Sequence, residues 1–181
     1  MRILCSKVGM TSIFTESGQA TGVTVLKLMK GKVVRLEVAG QKNLAIVEFE
    51  TGNKKSLTRG FEIAKDSAIS VGSEVPVPEF SKGQLLKITG VTKGKGFQDA
   101  VTRHGFAGGP ASHGSRFHRA PGSVGMRTEP GRTPKGKKLP GHMGSKVVTL
   151  KNVEVVFYSA EEGVIAVKGG VPGSTGGLLF V

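Results

Sequence analysis

Four histidines and one cysteine are the side chains of this 181-residue chain best suited to acid–base, nucleophilic or metal chemistry. All four histidines, His104, His113, His118 and His142, fall between residues 93 and 146. His113 and His118 are metal-ligand types, but Arg116 and Arg119 beside them repel a cation and no acid lies close in sequence. General acid–base or nucleophilic catalysis needs paired carboxylates, or a nucleophile with a base and an orienting acid. The segment offers only Asp99 and Glu129. Cys5 is the sole cysteine, which excludes an intramolecular disulfide and any two-thiolate site; lacking a neighbouring base, it reads as a small buried hydrophobe. We expect no enzyme here: no catalytic residue, no metal, no cofactor and no small-molecule substrate.

Two nucleotide-binding patterns fail on their details. Gly131-Arg132-Thr133-Pro134-Lys135-Gly136-Lys137 follows the phosphate-loop spacing, but Lys138 stands where a Mg²⁺-binding Ser or Thr is required. Pro134 and Pro140 also oppose the helix that must follow. Gly94-Lys95-Gly96 opens like a dinucleotide fingerprint, yet Asp99 occupies the place of its last glycine.

What the segment does offer is positive charge. The chain has 26 Lys and Arg against 13 Asp and Glu, a net charge of +13. Residues 93–146 hold eleven of the bases and two of the acids, and twelve of the 28 glycines and five of the eight prolines lie there too. Such an excess calls for a polyanion. We expect Lys93, Lys95, Arg103, Arg116, Arg119, Arg127, Arg132, Lys135, Lys137, Lys138 and Lys146 to neutralise phosphates. His104, His113, His118 and His142 are read as binding residues with them; histidines and phenylalanines (Phe97, Phe106, Phe117) suit stacking on splayed bases. Glycine lets the main chain approach a phosphate closely, and proline reduces the entropy of ordering. Ordering costs roughly 1–2 kcal/mol per residue, and this stretch has too few aliphatic residues to offset it, so its shape is expected to come from the bound polyanion. With no helix suited to a DNA major groove in the basic stretch, folded RNA is the expected partner. No apolar run is long enough to span a membrane, and no membrane partner is expected.

The flanks must position this segment, and they read as short strands between turn residues. Runs at 8–14 and 21–29 are joined by a hairpin signal at Glu16-Ser17-Gly18-Gln19. Runs at 32–38 and 44–50 follow, with Val34, Leu36 and Val38 set on the face opposite Val33, Arg35 and Glu37, and with Leu44, Ile46 and Phe49 broken by Glu48 and Glu50. Residues 84–92 lead into the basic stretch and 147–150 lead out; strands at 153–158 and 164–168 and a closing strand at 178–181 complete the set. We expect a mainly β chain: a small closed antiparallel β-barrel formed by residues 1–92 and 147–181, with 93–146 as a long, irregular, basic Gly/Pro-rich insertion.

Thr92-Lys93-Gly94-Lys95-Gly96-Phe97, Ser112-His113-Gly114-Ser115 and Pro121-Gly122-Ser123-Val124-Gly125 resemble motifs of the large-subunit ribosomal protein L three family, bacterial type. Pro130-Gly131-Arg132, Lys135-Gly136-Lys137-Lys138 and Gly141-His142-Met143-Gly144 follow in that family's order. Lys7-Val8-Gly9-Met10-Thr11 and Val167-Lys168-Gly169-Gly170-Val171-Pro172-Gly173 resemble its first strand and C-terminal signature. The resemblance implies a structural constituent of the large ribosomal subunit that binds large-subunit rRNA, supports early assembly and has ribosomal proteins as neighbours. It also implies that the tip of the insertion, Gly122, Ser123, Val124, Gly125, Met126, Arg127, Thr128, Glu129 and Pro130, extends toward the peptidyl-transferase centre.

The chain departs from the family pattern at Asp99, usually a small glycine, at Lys87, usually Asp or Asn, and at Thr128, where bacterial members often carry a modified glutamine. The stretch 59–84 is also shorter than usual. The motifs and the want of a transit peptide point to a bacterial cytoplasmic ribosome rather than an organellar one. Two rival readings are an RNA-modifying enzyme built on His113 or His118, and an accessory translation-factor-like RNA-binding module.

Overall fold

In the computed structural model, residues 3–14, 18–39, 42–51, 55–63 and 70–181 are described. The chain is mainly β, with eleven strands and one short helix among these residues. It divides into two compact units, Met1–Val91 with Val147–Val181, and Thr92–Lys146.

In the first unit, six strands pair antiparallel: β1 (Leu4–Phe14), β2 (Ala20–Leu28), β6 (Leu85–Val91), β9 (Val147–Ser159), β10 (Val164–Lys168) and β11 (Leu178–Phe180). Their hydrogen-bonded order β1-β11-β6-β9-β10-β2 returns to β1, so each strand has two neighbours. Alternation explains the core. Cys5, Leu26, Leu28, Leu86, Ile88, Val153, Val155, Ile165, Val167 and Leu179 supply the buried cluster, at least one from each strand, joined by Ile3 and Val171. Burying one such aliphatic side chain stabilises by roughly 1.5–3 kcal/mol. Cys5 is fully buried in this cluster, as its sequence context implies, and burial pushes its thiol pKa up to about 12.

Four other expected strands need correction. The runs at 32–38 and 44–50 do not join the six-strand ring; β3 (Gly31–Ala39), β4 (Lys42–Thr51) and β5 (Lys55–Ile63) form a separate three-stranded antiparallel sheet. Strict alternation of a buried and a wet face also fails in β3. Val33 is buried whereas Val34 is 47 % exposed and Leu36 is exposed. A register irregularity between Val33 and Arg35 sets Val33 opposite Val47 and then Arg35 opposite Ile46. The extra residue breaks strict alternation, which sequence periodicity cannot anticipate. In β4 the inward residues are Ala45, Val47 and Phe49, packed with Leu4, Met29, Val33 and Phe61 in a second cluster. The runs at 147–150 and 153–158, expected as two strands, are one, β9, with Asn152 in a left-handed conformation at φ 57°. The Glu16-Ser17 part of the first hairpin signal lies outside the described residues.

Candidate nucleic-acid interface

The second unit starts where β6 ends and stops where β9 begins, and Val91 and Val147 are themselves paired. Thr92 N donates to Lys146 O at 2.9 Å and Ser145 N to Thr92 O at 3.2 Å, pairing the two ends of the segment. Lys95 N donates to Met143 O and Met143 N to Gly96 O, each at 2.9 Å. The ladder continues as a two-stranded sheet of β7 (Phe97–Gln98) and β8 (Gly141–His142). Phe97 is exposed and meets His142 edge to face, with ring centroids 5.9 Å apart.

Although the basic stretch shows no helical periodicity, α1 (Ala100–His104) is a single capped turn within it. Asp99 is its N-cap, accepting from Thr102 N at 2.8 Å, and Gly105, at φ 73°, closes it with its own N–H donating to Val101 O. The spacing Asp99-x-x-Thr102, ending at Gly105, is the local signal that could have found it. Arg103 Nη1 donates to Leu139 O at 2.7 Å, and His104 Nε2 lies 3.1 Å from the same oxygen. Arg119 Nε donates to Asp99 Oδ2, and Arg119 Nη2 to Thr102 Oγ1 at 3.0 Å. The guanidinium of Arg119 and the amide of Thr102 hold the Asp99 carboxyl well below the usual carboxylate range, and Asp99 in turn raises Arg119. His118 Nδ1 lies 3.1 Å from Pro110 O, and Gly109 N donates to His118 O at 3.0 Å.

Four residues read as phosphate or base ligands thus have partners inside the chain: Arg103, His104, His118 and Arg119. Two glycines are likewise needed for internal packing. A Cβ on Gly109 would strike the Phe117 carbonyl, and one on Gly144 the Lys93 carbonyl. These are approaches of backbone to backbone, not to a ligand.

The remaining expected residues present themselves outward. Lys93, Lys95, Arg116, Arg127, Arg132, Lys135, Lys137, Lys138, His142 and Lys146 are exposed. His113, at φ 58° with Gly114 at φ 71°, stands exposed at the corner of the Ser112–Ser115 turn. From Gly122 to Pro130 every residue is exposed; Met126 is 79 % so, and Ser123 Oγ folds back to Gly125 O at 2.9 Å. No helix follows Lys138, so the phosphate-loop spacing lacks its required context. In the whole unit Ala100 alone is buried. The segment is held by hydrogen bonds and not by an apolar core, and its cations other than Arg103 are exposed, Arg119 among them despite its internal partners.

Residues 11–168 match the family model described as Ribosomal protein L3. The chain is 43 % identical over 189 residues to "Large ribosomal subunit protein uL3" of Bdellovibrio bacteriovorus, covering 93 % of this chain and 86 % of that protein. It is 41 % identical over 208 residues to "Large ribosomal subunit protein uL3" of Macrococcus caseolyticus, covering 99 % and 94 % respectively.

Proposed function

Since the chain belongs to the ribosomal protein L3 family, a family of ribosomal components rather than enzymes, we propose that it is a structural constituent of the large ribosomal subunit that binds large-subunit rRNA directly. The observation that carries this reading is the second unit: eleven Lys and Arg against two acids on a segment with one buried residue. Lys93, Lys95, Arg116, Arg127, Arg132, Lys135, Lys137, Lys138 and Lys146 neutralise phosphates, releasing counterions as they do so. Exposed His113, Phe97 and His142 offer faces and donors to bases and sugars. The Gly122–Pro130 tip reaches toward the peptidyl-transferase centre. The first unit, whose cyclic pairing supports a small closed antiparallel barrel, packs against neighbouring ribosomal proteins and contributes to early subunit assembly in a bacterial cytoplasm.

Binding of the full chain to a large-subunit rRNA transcript across a salt series tests this. Several phosphate contacts make log K fall steeply with log salt, by about 0.7–0.9 per phosphate. A shallow slope, or equal affinity for an unrelated transcript of the same length, contradicts it.

A further inference from the structure

We propose that Asp99 and Arg119 form a clasp that shapes the base of the basic segment before RNA arrives, so that Arg119 positions the RNA-facing cations instead of contacting RNA itself. The clasp joins parts of the chain distant in sequence. Asp99 divides its two oxygens, Oδ1 to the Thr102 amide and Oδ2 to Arg119 Nε twenty residues away; Arg119 Nη2 then closes the triangle on the Thr102 hydroxyl. The next two residues of α1 carry the network to a third pass of the chain, where Arg103 and His104 converge on the Leu139 carbonyl. One helical turn therefore ties together the stretches around 99, 119 and 139 with hydrogen bonds and one ion pair.

Two physical points favour this assignment over phosphate contact. With only Ala100 buried, the unit has no apolar core to set these three passes, so polar bonds must. And Asp99 is one of just two acids in the unit, an unfavourable charge beside a polyanion unless a cation of the chain already takes it. The pairing also gives meaning to Asp99, which simple charge logic would exclude from such a surface. The partner is the one named under Proposed function, and the clasp rests on that reading only for its RNA arm.

The test is a double-mutant cycle in the full chain. Asp99→Asn keeps an N-cap side chain but removes the ion pair, and it makes the protein more positive. The clasp predicts that this variant binds the large-subunit rRNA transcript about five- to tenfold more weakly than the parent, whereas charge alone predicts tighter binding. Arg119→Gln weakens binding in the parent background, costs little more in the Asp99→Asn background, and leaves the salt slope unchanged. Tighter binding by Asp99→Asn, or an Arg119→Gln effect that is equal in both backgrounds with the slope reduced by about 0.7–0.9, overturns the proposal. A second arm needs no RNA: in the free chain, the amides of Thr102, Arg103 and Gly105 are slow to exchange, and Arg119→Gln speeds them. Fast exchange in the free parent overturns the clasp even where RNA binding is intact. Absence of rRNA binding by the parent, with these amides protected, overturns the ribosomal reading and supports the clasp.

Discussion

Lys7 and Val171, 164 residues apart, are joined by a hydrogen bond of 2.9 Å from the lysine ammonium to the valine carbonyl oxygen. The same ammonium donates to Gly173 O at 3.2 Å, and Lys7 is only 8 % exposed. Its backbone joins in, with Lys7 N donating to Gly177 O and Gly176 N to Lys7 O. Thr24, fully buried, donates its hydroxyl to Gly169 O at 2.6 Å. One lysine and one threonine therefore seat the glycine-rich loop between β10 and β11. The two end motifs that carried the family resemblance are two halves of one structural joint.

Lys7→Met should accordingly destabilise the chain, since it keeps an unbranched stem but withdraws donors from buried carbonyls. Hydrogen bonds to a charged group contribute about 1.5–3 kcal/mol, and we expect a loss of that order in urea unfolding followed by far-UV circular dichroism. An unchanged midpoint would mean that the loop is held without the ammonium.

The faces of β3 and β4 make a second prediction. Phe49→Ala opens the cluster it shares with Val47 and Phe61, at a cost of about 3–5 kcal/mol. Val34→Ala, on the exposed side, should change stability by less than about 0.5 kcal/mol. Equal effects at the two positions would show that Val34 does not lie on the exposed side.

Cys5 supplies a pH dependence with a definite sign. The folded thiol keeps its proton up to about pH 12, while an unfolded one releases it near its ordinary value of 9.0. Between those values the unfolded chain binds fewer protons than the folded one, so stability falls as pH rises, by at most about 1.4 kcal/mol per pH unit. Below pH 9 the contribution is fully present. Comparing alkaline unfolding of the parent with Cys5→Ala isolates it, and the variant should show the shallower decline. Thiol-specific labelling at pH 8 should likewise require unfolding first.

Asp99 titrates in the other direction. Its carboxyl, held low by Arg119 and Thr102, should stay ionised when ordinary surface carboxylates protonate at about pH 4. A lowered pKa means that the stabilising pair is present above the unfolded value and lost only as pH falls through the folded one. The Asp99 side-chain carboxyl resonance, followed by NMR in the free chain, reports this. A midpoint at the usual carboxylate value would show that the pair does not form in solution.

At the exposed end of the segment, Lys137→Gln should weaken binding of the rRNA transcript and reduce the salt slope by about 0.7–0.9. Lys168→Gln, whose ammonium pairs with Glu154 on β9 at 3.1 Å, should leave the slope as it is. Indifference of the slope to Lys137 would remove that residue from the phosphate-contacting set.

What the amino-acid sequence determined by itself was where charge and apolar residues are concentrated. The net charge and scarcity of aliphatic residues between 93 and 146 are properties of composition, and no arrangement of those residues could give them an apolar core. Strands at 8–14, 21–29, 84–92 and 164–168 were legible from alternation and turn residues, because both signals are local. The ordered motifs likewise pointed to the family without knowledge of any contact.

Tertiary structure decided whatever depends on which distant residues meet. A register irregularity beside Val34 chose the buried face of β3, and β3–β5 left the ring of strands for a sheet of their own. Lys7 went inward to carbonyls 164 residues away, against the ordinary preference of lysine for solvent. Arg103 and Arg119 were indistinguishable in sequence from Lys137, yet they bind Leu139 and Asp99. The physical reason is common to all of these: a charge or an apolar side chain is visible in the sequence, but the partner that satisfies it is set by strand register and chain return.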